Sequence, residues 1–139
     1  MVARHDERCK DCKVRVQELL LQIYGEVKPN CNLRIPAKPE DYIGSTFGKE
    51  LETIHIALQS HRGFGDFVRA KKNIAPVDFY VPEPGFIVEF DESQHFTAPR
   101  KIALSNYPDN LKLGFDRDRW QDLCDIENNH DGYPPYRDE

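Results

Sequence analysis

The stretch PVDFYVPEPGFIVEFDESQHF, residues 76–96, combines two apolar runs with three carboxylates, Asp78, Glu89 and Asp91. The two runs flank the tetrapeptide PEPG (82–85), and this pattern predicts a β-hairpin with a four-residue loop. Carboxylates within such an apolar segment are costly to bury unless they are paired, protonated or bound to a cation. The fold and function of the chain therefore depend on what compensates their charge.

A four-residue loop determines which side chains of the hairpin face each other. One face is expected to be wholly apolar, with the pairs Val81–Phe86, Phe79–Val88 and Val77–Phe90. The same register pairs Asp78 with Glu89 and places Asp91 two residues further along that face. Directly opposed Cβ atoms are about 4.5–5.5 Å apart, and like charges at that separation repel. A bound cation would remove the repulsion, and ligands that are all oxygen favour Mg²⁺ or Mn²⁺.

Length and composition predict a soluble globular protein. The chain has 139 residues, of which 39% are hydrophobic and 31% are charged, and this is enough for one domain with a core. Its apolar runs are far shorter than the roughly 20 residues of a membrane span. The N-terminus MVARHDERCK (1–10) is too polar for a signal peptide. We therefore expect a cytoplasmic protein with no membrane partner.

The charge balance restricts how the chain could bind nucleic acid. With 24 acidic against 19 basic residues, the net charge is −5, which argues against a general nucleic-acid coat. A nuclease remains compatible, because its bound cation offsets the metal-binding carboxylates. The segment HRGFGDFVRAKK (61–72) is locally basic, and Arg69, Lys71 and Lys72 are candidate contacts to DNA phosphates. An ordinary solvated surface is an equally good interpretation of this segment.

Apolar residues at helical spacing predict two helices ahead of the hairpin. The first covers residues 12–27 and the second covers residues 45–63. The proline-containing connection between them has room for a short strand at 32–35, and a further strand is expected within 64–75.

The chain after the hairpin is polar and predicts little regular structure. Short helices are expected at about 99–106 and 116–124, followed by an irregular tail. We therefore divide the chain into an N-terminal helical arm, residues 1–44, and an α/β core with a polar C-terminal insert, residues 45–139.

The hairpin residues also form an ordered series: Asp78-Phe79-Tyr80, a turn, Glu89-Phe90-Asp91, and then His95. This series resembles the PD-(D/E)XK nuclease superfamily, and it looks most like the small endonucleases related to the very-short-patch-repair enzyme. The resemblance spans roughly residues 45–96. It implies a restriction-endonuclease-like fold, with a mixed sheet flanked by helices, and metal-dependent cleavage of DNA. Asp91 stands where the superfamily usually has the Lys of E-x-K.

The resemblance implies a role for each polar residue of the series. Asp78 and Glu89 would ligate Mg²⁺ or Mn²⁺, which polarises the scissile phosphate and helps to generate hydroxide from a bound water. Asp91 would be a further ligand, or it would orient a water or His95. His95 is a candidate general base, and Gln94 would position a water or phosphate. A polar residue at the rim of a strand is the alternative interpretation of His95.

The second predicted helix carries two further candidates, Glu50 and Glu52. Either one would complete a second metal site, and Glu52 is the one we select. Solvated charges on a helix surface are the alternative interpretation of both.

The four cysteines suggest a structural zinc site. Cys9-x-x-Cys12 has the spacing of half of such a site, and a reducing cytosol favours thiols or metal ligands over disulfides. The other ligands would be Cys31 and Cys124, with His5 or His130 as substitutes. Zinc would then tie the N-terminal helix to the C-terminal insert. Unrelated buried thiols are the alternative.

Two functions fit these observations. The first is a Mg²⁺-dependent DNA endonuclease of repair, restriction or defence type. The second is a nuclease-like module of weak catalytic activity, stabilised by zinc, which binds nucleic acid or a protein partner. The absent E-x-K lysine and the acidic net charge favour the second. We expect the C-terminal part of the nuclease fold to be missing, or to open at YRDE (136–139).

Overall fold

The computed structural model describes residues 9–62 and 73–127 and combines helices with a small sheet. The helices are α1 (Lys10–Tyr24), α2 (Gly48–Arg62), α3 (Ala98–Ser105) and α4 (Arg117–Glu127), and the strands are β1 (Lys28–Cys31), β2 (Val77–Val81) and β3 (Phe86–Val88). Helix and strand together confirm the predicted α/β content. None of the described helices has the length and apolar character needed to cross a membrane.

Two compact units make up the described chain. The sheet unit contains residues 9–35 and 73–92, and the helical unit contains residues 36–62 and 93–127. This division does not follow the predicted boundary between residues 44 and 45. The reason is that α1 and β1 of the predicted arm pack against and pair with β2.

The three strands of the sheet unit lie in the order β1-β2-β3, and both pairings are antiparallel. The predicted mixed sheet is therefore wrong for the part of the chain that the structure describes. The strand expected at 32–35 is replaced by β1, four residues earlier, which pairs Cys31 with Val77. Pro29 is tolerated in β1 because the strand is at the edge of the sheet, where a missing N–H costs little. Most of the strand expected within 64–75 lies outside the described residues.

The predicted register of the hairpin is confirmed wherever the strands pair. The paired residues are Val81 and Phe86, Tyr80 and Ile87, and Phe79 and Val88. Residues 82–85 form the predicted four-residue turn, and Gly85 has a φ of 99°, which favours glycine because it has no Cβ.

Helix α1 covers the apolar face of the hairpin. The buried cluster contains Leu20, Val27, Phe79 and Val81, with Val16, Phe86 and Val88 packed against it. Gly25 ends the helix in the left-handed conformation, and its N–H donates to the carbonyl of Leu21 at 2.8 Å. Packing against the sheet thus gives this helix the apolar contacts that an isolated helix lacks.

The helical unit has its own core around α3 and α4. Phe96, Leu104 and Cys124 are buried, and the half-buried Trp120 packs against them. Thr97 caps α3 by accepting a hydrogen bond from the N–H of Arg100 at 3.2 Å. The two short helices predicted after the hairpin are confirmed by α3 and α4.

Replacing Phe79 by alanine tests the core of the sheet unit. Phe79 is only 3% exposed, so its loss removes apolar contacts and leaves a cavity that costs about 3–5 kcal/mol of unfolding free energy. Urea denaturation measures this loss. The matched control is Ile87→Ala on the same hairpin, where the side chain is 42% exposed and a change within about 0.5 kcal/mol is expected. Equal losses in the two variants would show that this face of the hairpin is not the core.

Candidate active site at the hairpin carboxylates

The carboxylate of Asp78 is the centre of a group of contacts in the sheet unit. Its Oδ1 accepts a hydrogen bond from Lys13 Nζ at 3.0 Å, and its Oδ2 accepts one from the N–H of Phe90 at 2.8 Å. The carboxylate also interacts electrostatically with the side chain of Glu89 and helps to raise its pKa. Asp78 and Glu89 thus lie close enough to influence each other's pKa, and their joint role at a metal site stays a prediction.

The position of the pair follows from where the hairpin ladder stops. Strand β3 ends at Val88, and two residues later the N–H of Phe90 donates to a side chain instead of to a strand carbonyl. Asp78 thus satisfies a backbone donor that would otherwise lack a partner at the end of the strand. This bond holds the Asp78 carboxylate beside the chain that carries Glu89.

Asp78 is held in its ionised form. Partial burial acts to raise the pKa of Asp78, but hydrogen bonds from Phe90, Lys13 and Glu89 outweigh it. The net effect is a pKa below the usual value of an aspartate, because each of these donors stabilises the negative charge. Asp78 therefore remains available as an anion over the physiological pH range.

The pKa of Glu89 is shifted in the opposite direction. Although the Glu89 residue as a whole is exposed, partial loss of water around its carboxyl group, the interaction with Asp78 and repulsion by that carboxylate raise the pKa of Glu89 to about 7. Asp91 adds a smaller repulsion, and a backbone hydrogen bond from Asp78 opposes the rise. Near neutrality, Asp78 is therefore ionised while Glu89 is partly protonated.

Two further side chains at the site were not predicted from the sequence. Lys13, in the first turns of α1, supplies the ammonium group on Asp78, and its side chain is 29% exposed. Glu92 is buried, and its Oε2 accepts a hydrogen bond from the N–H of Cys9 at 3.3 Å. Both contacts join the start of α1 to residues that lie more than 60 positions later in the sequence. No local sequence pattern predicts them.

The remaining predicted catalytic residues belong to the helical unit. Gln94 and His95 lie in the short 3₁₀ helix Ser93–His95 and are half-buried. Gln94 Oε1 is buried without a hydrogen-bond donor among the described residues, and a buried acceptor in this state suits a water or another donor. Glu52 is exposed on α2 and lines a cavity of about 480 Å³ with Glu40 and Lys49. The roles given to these residues stay predictions.

The predicted DNA contacts Arg69, Lys71 and Lys72 lie outside the described residues, as do the substitute zinc ligands His5 and His130.

Donor chemistry at the hairpin is suited to a hard divalent cation. Within residues 9–62 and 73–127, no three His, Cys, Asp or Glu side chains converge in a geometry that would hold a metal ion. The oxygens of Asp78 and Glu89 are the nearby donors, and the repulsion by which Asp78 raises the pKa of Glu89 is what a divalent cation would relieve. Oxygen donors of this kind fit Mg²⁺ or Mn²⁺ better than soft metals.

The cysteines differ from the predicted zinc set. Cys9 and Cys12 are joined in a disulfide, which leaves neither sulfur as a thiolate. Cys31 is half-buried with a free thiol, and Cys124 is a free thiol in the core of the helical unit. Burial raises the pKa of the Cys124 thiol and so disfavours the thiolate that binds metals. The close Cys-x-x-Cys spacing allows either a disulfide or half of a zinc site.

Comparison with family models, with curated proteins and with solved structures found no match to this chain. Functional inference consequently rests on the residues of the hairpin and on their contacts.

The titration of Glu89 tests the electrostatics of the pair. NMR of the side-chain carboxyl carbons should show Glu89 titrating near pH 7 instead of near 4.5. In Asp78→Asn the pKa should fall, although not completely, because desolvation persists. Folding stability should follow the same group. A pKa raised in the folded state contributes stability that is present below about pH 4.5 and lost as the pH rises to about 7.

Glu89→Gln should abolish this part of the pH dependence of stability, and Glu83→Gln, on the exposed turn, should retain it. A wild-type Glu89 that titrates near pH 4.5 would contradict the described pair.

Thiol counting tests the pairing of the cysteines. Of the four cysteines, two should react with a thiol reagent after denaturation without reductant, because Cys9 and Cys12 are joined. Reduction should raise the count to four. Four reactive thiols without reductant, together with zinc released on denaturation, would instead support the zinc site.

Proposed function

We propose that this chain is a metal-dependent endonuclease that hydrolyses phosphodiester bonds in DNA, with Asp78 and Glu89 as the residues that hold Mg²⁺ or Mn²⁺. The observation that carries the proposal is the electrostatic coupling of these two carboxyl groups across the hairpin, which lowers the pKa of one and raises that of the other. In the nuclease series that the sequence resembles, Asp78 stands at the position of the first Asp. Glu89 stands at the position of the Glu of E-x-D.

The surroundings of the two carboxyl groups favour different protonation states. The N–H of Phe90 and the ammonium group of Lys13 keep Asp78 ionised, which is the form that ligates a cation. Glu89 carries a proton up to about pH 7, so cation binding releases that proton and is favoured at higher pH. When bound, the ion polarises the scissile phosphate and lowers the pKa of a coordinated water.

Asp91 strengthens the negative potential of the site. It lies two residues past Glu89 and contributes to the repulsion that raises the pKa of that residue. In the proposed enzyme Asp91 orients a water or supplies a further oxygen ligand. The resemblance implies water positioning for Gln94 and general-base action for His95, and the unsatisfied acceptor on Gln94 supports a polar role for this segment of the helical unit. The restriction-endonuclease-like fold is part of the same proposal.

A second candidate function is binding without cleavage, by a nuclease-like module. The observation that favours it is the ion pair between Lys13 and Asp78, because a lysine of the chain itself already compensates the charge of that carboxylate. Asp91 in place of the E-x-K lysine points in the same direction. A module of this kind would bind nucleic acid or a protein partner with little dependence on Mg²⁺.

Nicking of supercoiled plasmid DNA by the full chain separates the two functions. We expect cleavage with Mg²⁺ or Mn²⁺ and none with a chelator. Asp78→Asn and Glu89→Gln should each lower the rate by at least about 100-fold, since even the partners of metal ligands are worth 10- to 100-fold.

The matched control is Glu83→Gln, which makes the same chemical change on the exposed turn of the hairpin and should cut like wild type. Wild-type rates in both site variants would refute the assigned residues. Protein that binds DNA equally well with and without Mg²⁺, and never cuts it, would favour the second function.

A further inference from the structure

Both oxygens of the Asp78 carboxylate already have a donor from the chain. Oδ2 accepts the N–H of Phe90 at 2.8 Å, and Oδ1 accepts Nζ of Lys13 at 3.0 Å. The pair is also partly shielded from water, with side-chain exposures of 29% for Lys13 and 23% for Asp78. A charge-assisted hydrogen bond in such surroundings is stronger than one between fully solvated groups.

The backbone of Lys13 is fixed close to the hairpin. Cys9 lies immediately before α1, and its N–H donates a hydrogen bond to the buried Glu92. Further along the helix, Leu20 is buried against Phe79 and Val81. The contact with Asp78 is thus made by a side chain whose point of attachment does not depend on that contact.

The two donors on Asp78 differ in how they could yield to another cation. The N–H of Phe90 belongs to the backbone at the end of β3, and moving it would disrupt the hairpin. The ammonium group of Lys13 lies at the end of a flexible four-carbon stem and can turn away with little cost to the fold. A cation that needs Asp78 Oδ1 would therefore displace Lys13 first.

We propose that Lys13 is the resident counter-ion of the Asp78–Glu89 pair, and that a divalent cation binds the pair by displacing the Lys13 ammonium group from Asp78 Oδ1. This inference rests on the proposed function in one respect, namely that the pair binds a divalent cation. It adds a competing residue from outside the nuclease-like series, contributed by α1. The competition lowers the affinity of the pair for metal and sets the concentration at which the site fills.

Calorimetric titration of the full chain with Mn²⁺ at pH 8 measures the competition directly. In Lys13→Met no ammonium group has to be displaced, so Mn²⁺ should bind about fivefold more tightly than to wild type, as expected for a partly exposed ion pair. Lys13→Arg keeps the charge and should bind Mn²⁺ nearly as wild type does.

Lys28→Met is the matched control. Lys28 is an exposed residue of β1 that pairs with Tyr80 in the strand register, and this variant removes the same charge from the same unit at a side chain that is not among the groups stabilising Asp78. Its affinity for Mn²⁺ should stay within about twofold of wild type, because the charge of an exposed side chain is screened by water and salt.

A second measurement needs no substitution at the site. With lysine labelled at Cε, addition of Mg²⁺ to the wild-type chain should shift the Lys13 resonance as its ammonium group leaves Asp78, while the Lys28 resonance stays in place. Loss of this shift in Asp78→Asn would connect it to the pair.

The outcomes separate this inference from the proposed function. If wild type binds Mn²⁺ at the pair but Lys13→Met binds no more tightly, or the Lys13 resonance does not move, the counter-ion role is wrong and the nuclease proposal stands. If Lys13→Met binds Mn²⁺ and wild type does not, the counter-ion role is supported and the proposed metal-dependent activity of the natural chain fails. If neither wild type nor Lys13→Met binds Mn²⁺, the counter-ion role and the nuclease proposal are both overturned.

Discussion

The carboxylate of Asp78 is the point at which the hairpin, the helix α1 and the charge of the site meet. It accepts the N–H of Phe90 where β3 has ended, and it accepts the ammonium group of Lys13 from α1. It also interacts with the nearby carboxyl group of Glu89, whose pKa it raises. Without Asp78, the end of the hairpin would lose a backbone partner, and Lys13 would lose the anion to which it is bound.

Charge at the site is compensated in three ways that the chain itself provides. An ammonium group and a backbone N–H stabilise Asp78, and a proton stabilises Glu89 up to about pH 7. The backbone hydrogen bond is the least exchangeable of the three. The proton and the lysine ammonium group can be replaced more readily. A divalent cation would substitute for the two exchangeable ones, which explains why the same arrangement can be stable without metal and still suit metal binding.

How much was predictable depended on the distance in sequence between the interacting groups. The hairpin register and the meeting of Asp78 and Glu89 followed from a four-residue loop and an alternating pattern, which are local. The sheet was predicted incorrectly because β1, KPNC (28–31), contains residue types that strands disfavour and forms only through pairing with β2. Lys13 contacts Asp78 across 65 residues, and no pattern in the sequence encodes that contact. The spacing of Cys9 and Cys12 is compatible with two chemistries and could not decide between them.

A crystal of the full chain grown with Mn²⁺ at pH 8 would show whether Asp78 and Glu89 together hold a divalent cation. Anomalous diffraction identifies the ion independently of any activity. We expect an anomalous peak within about 2.0–2.3 Å of an oxygen of each carboxyl group, with the Lys13 ammonium group moved away from Asp78. An ordered pair with Lys13 still bound to Asp78 and no anomalous peak beside it, at Mn²⁺ concentrations that support catalysis by nucleases, would contradict the binding of a cation by this pair.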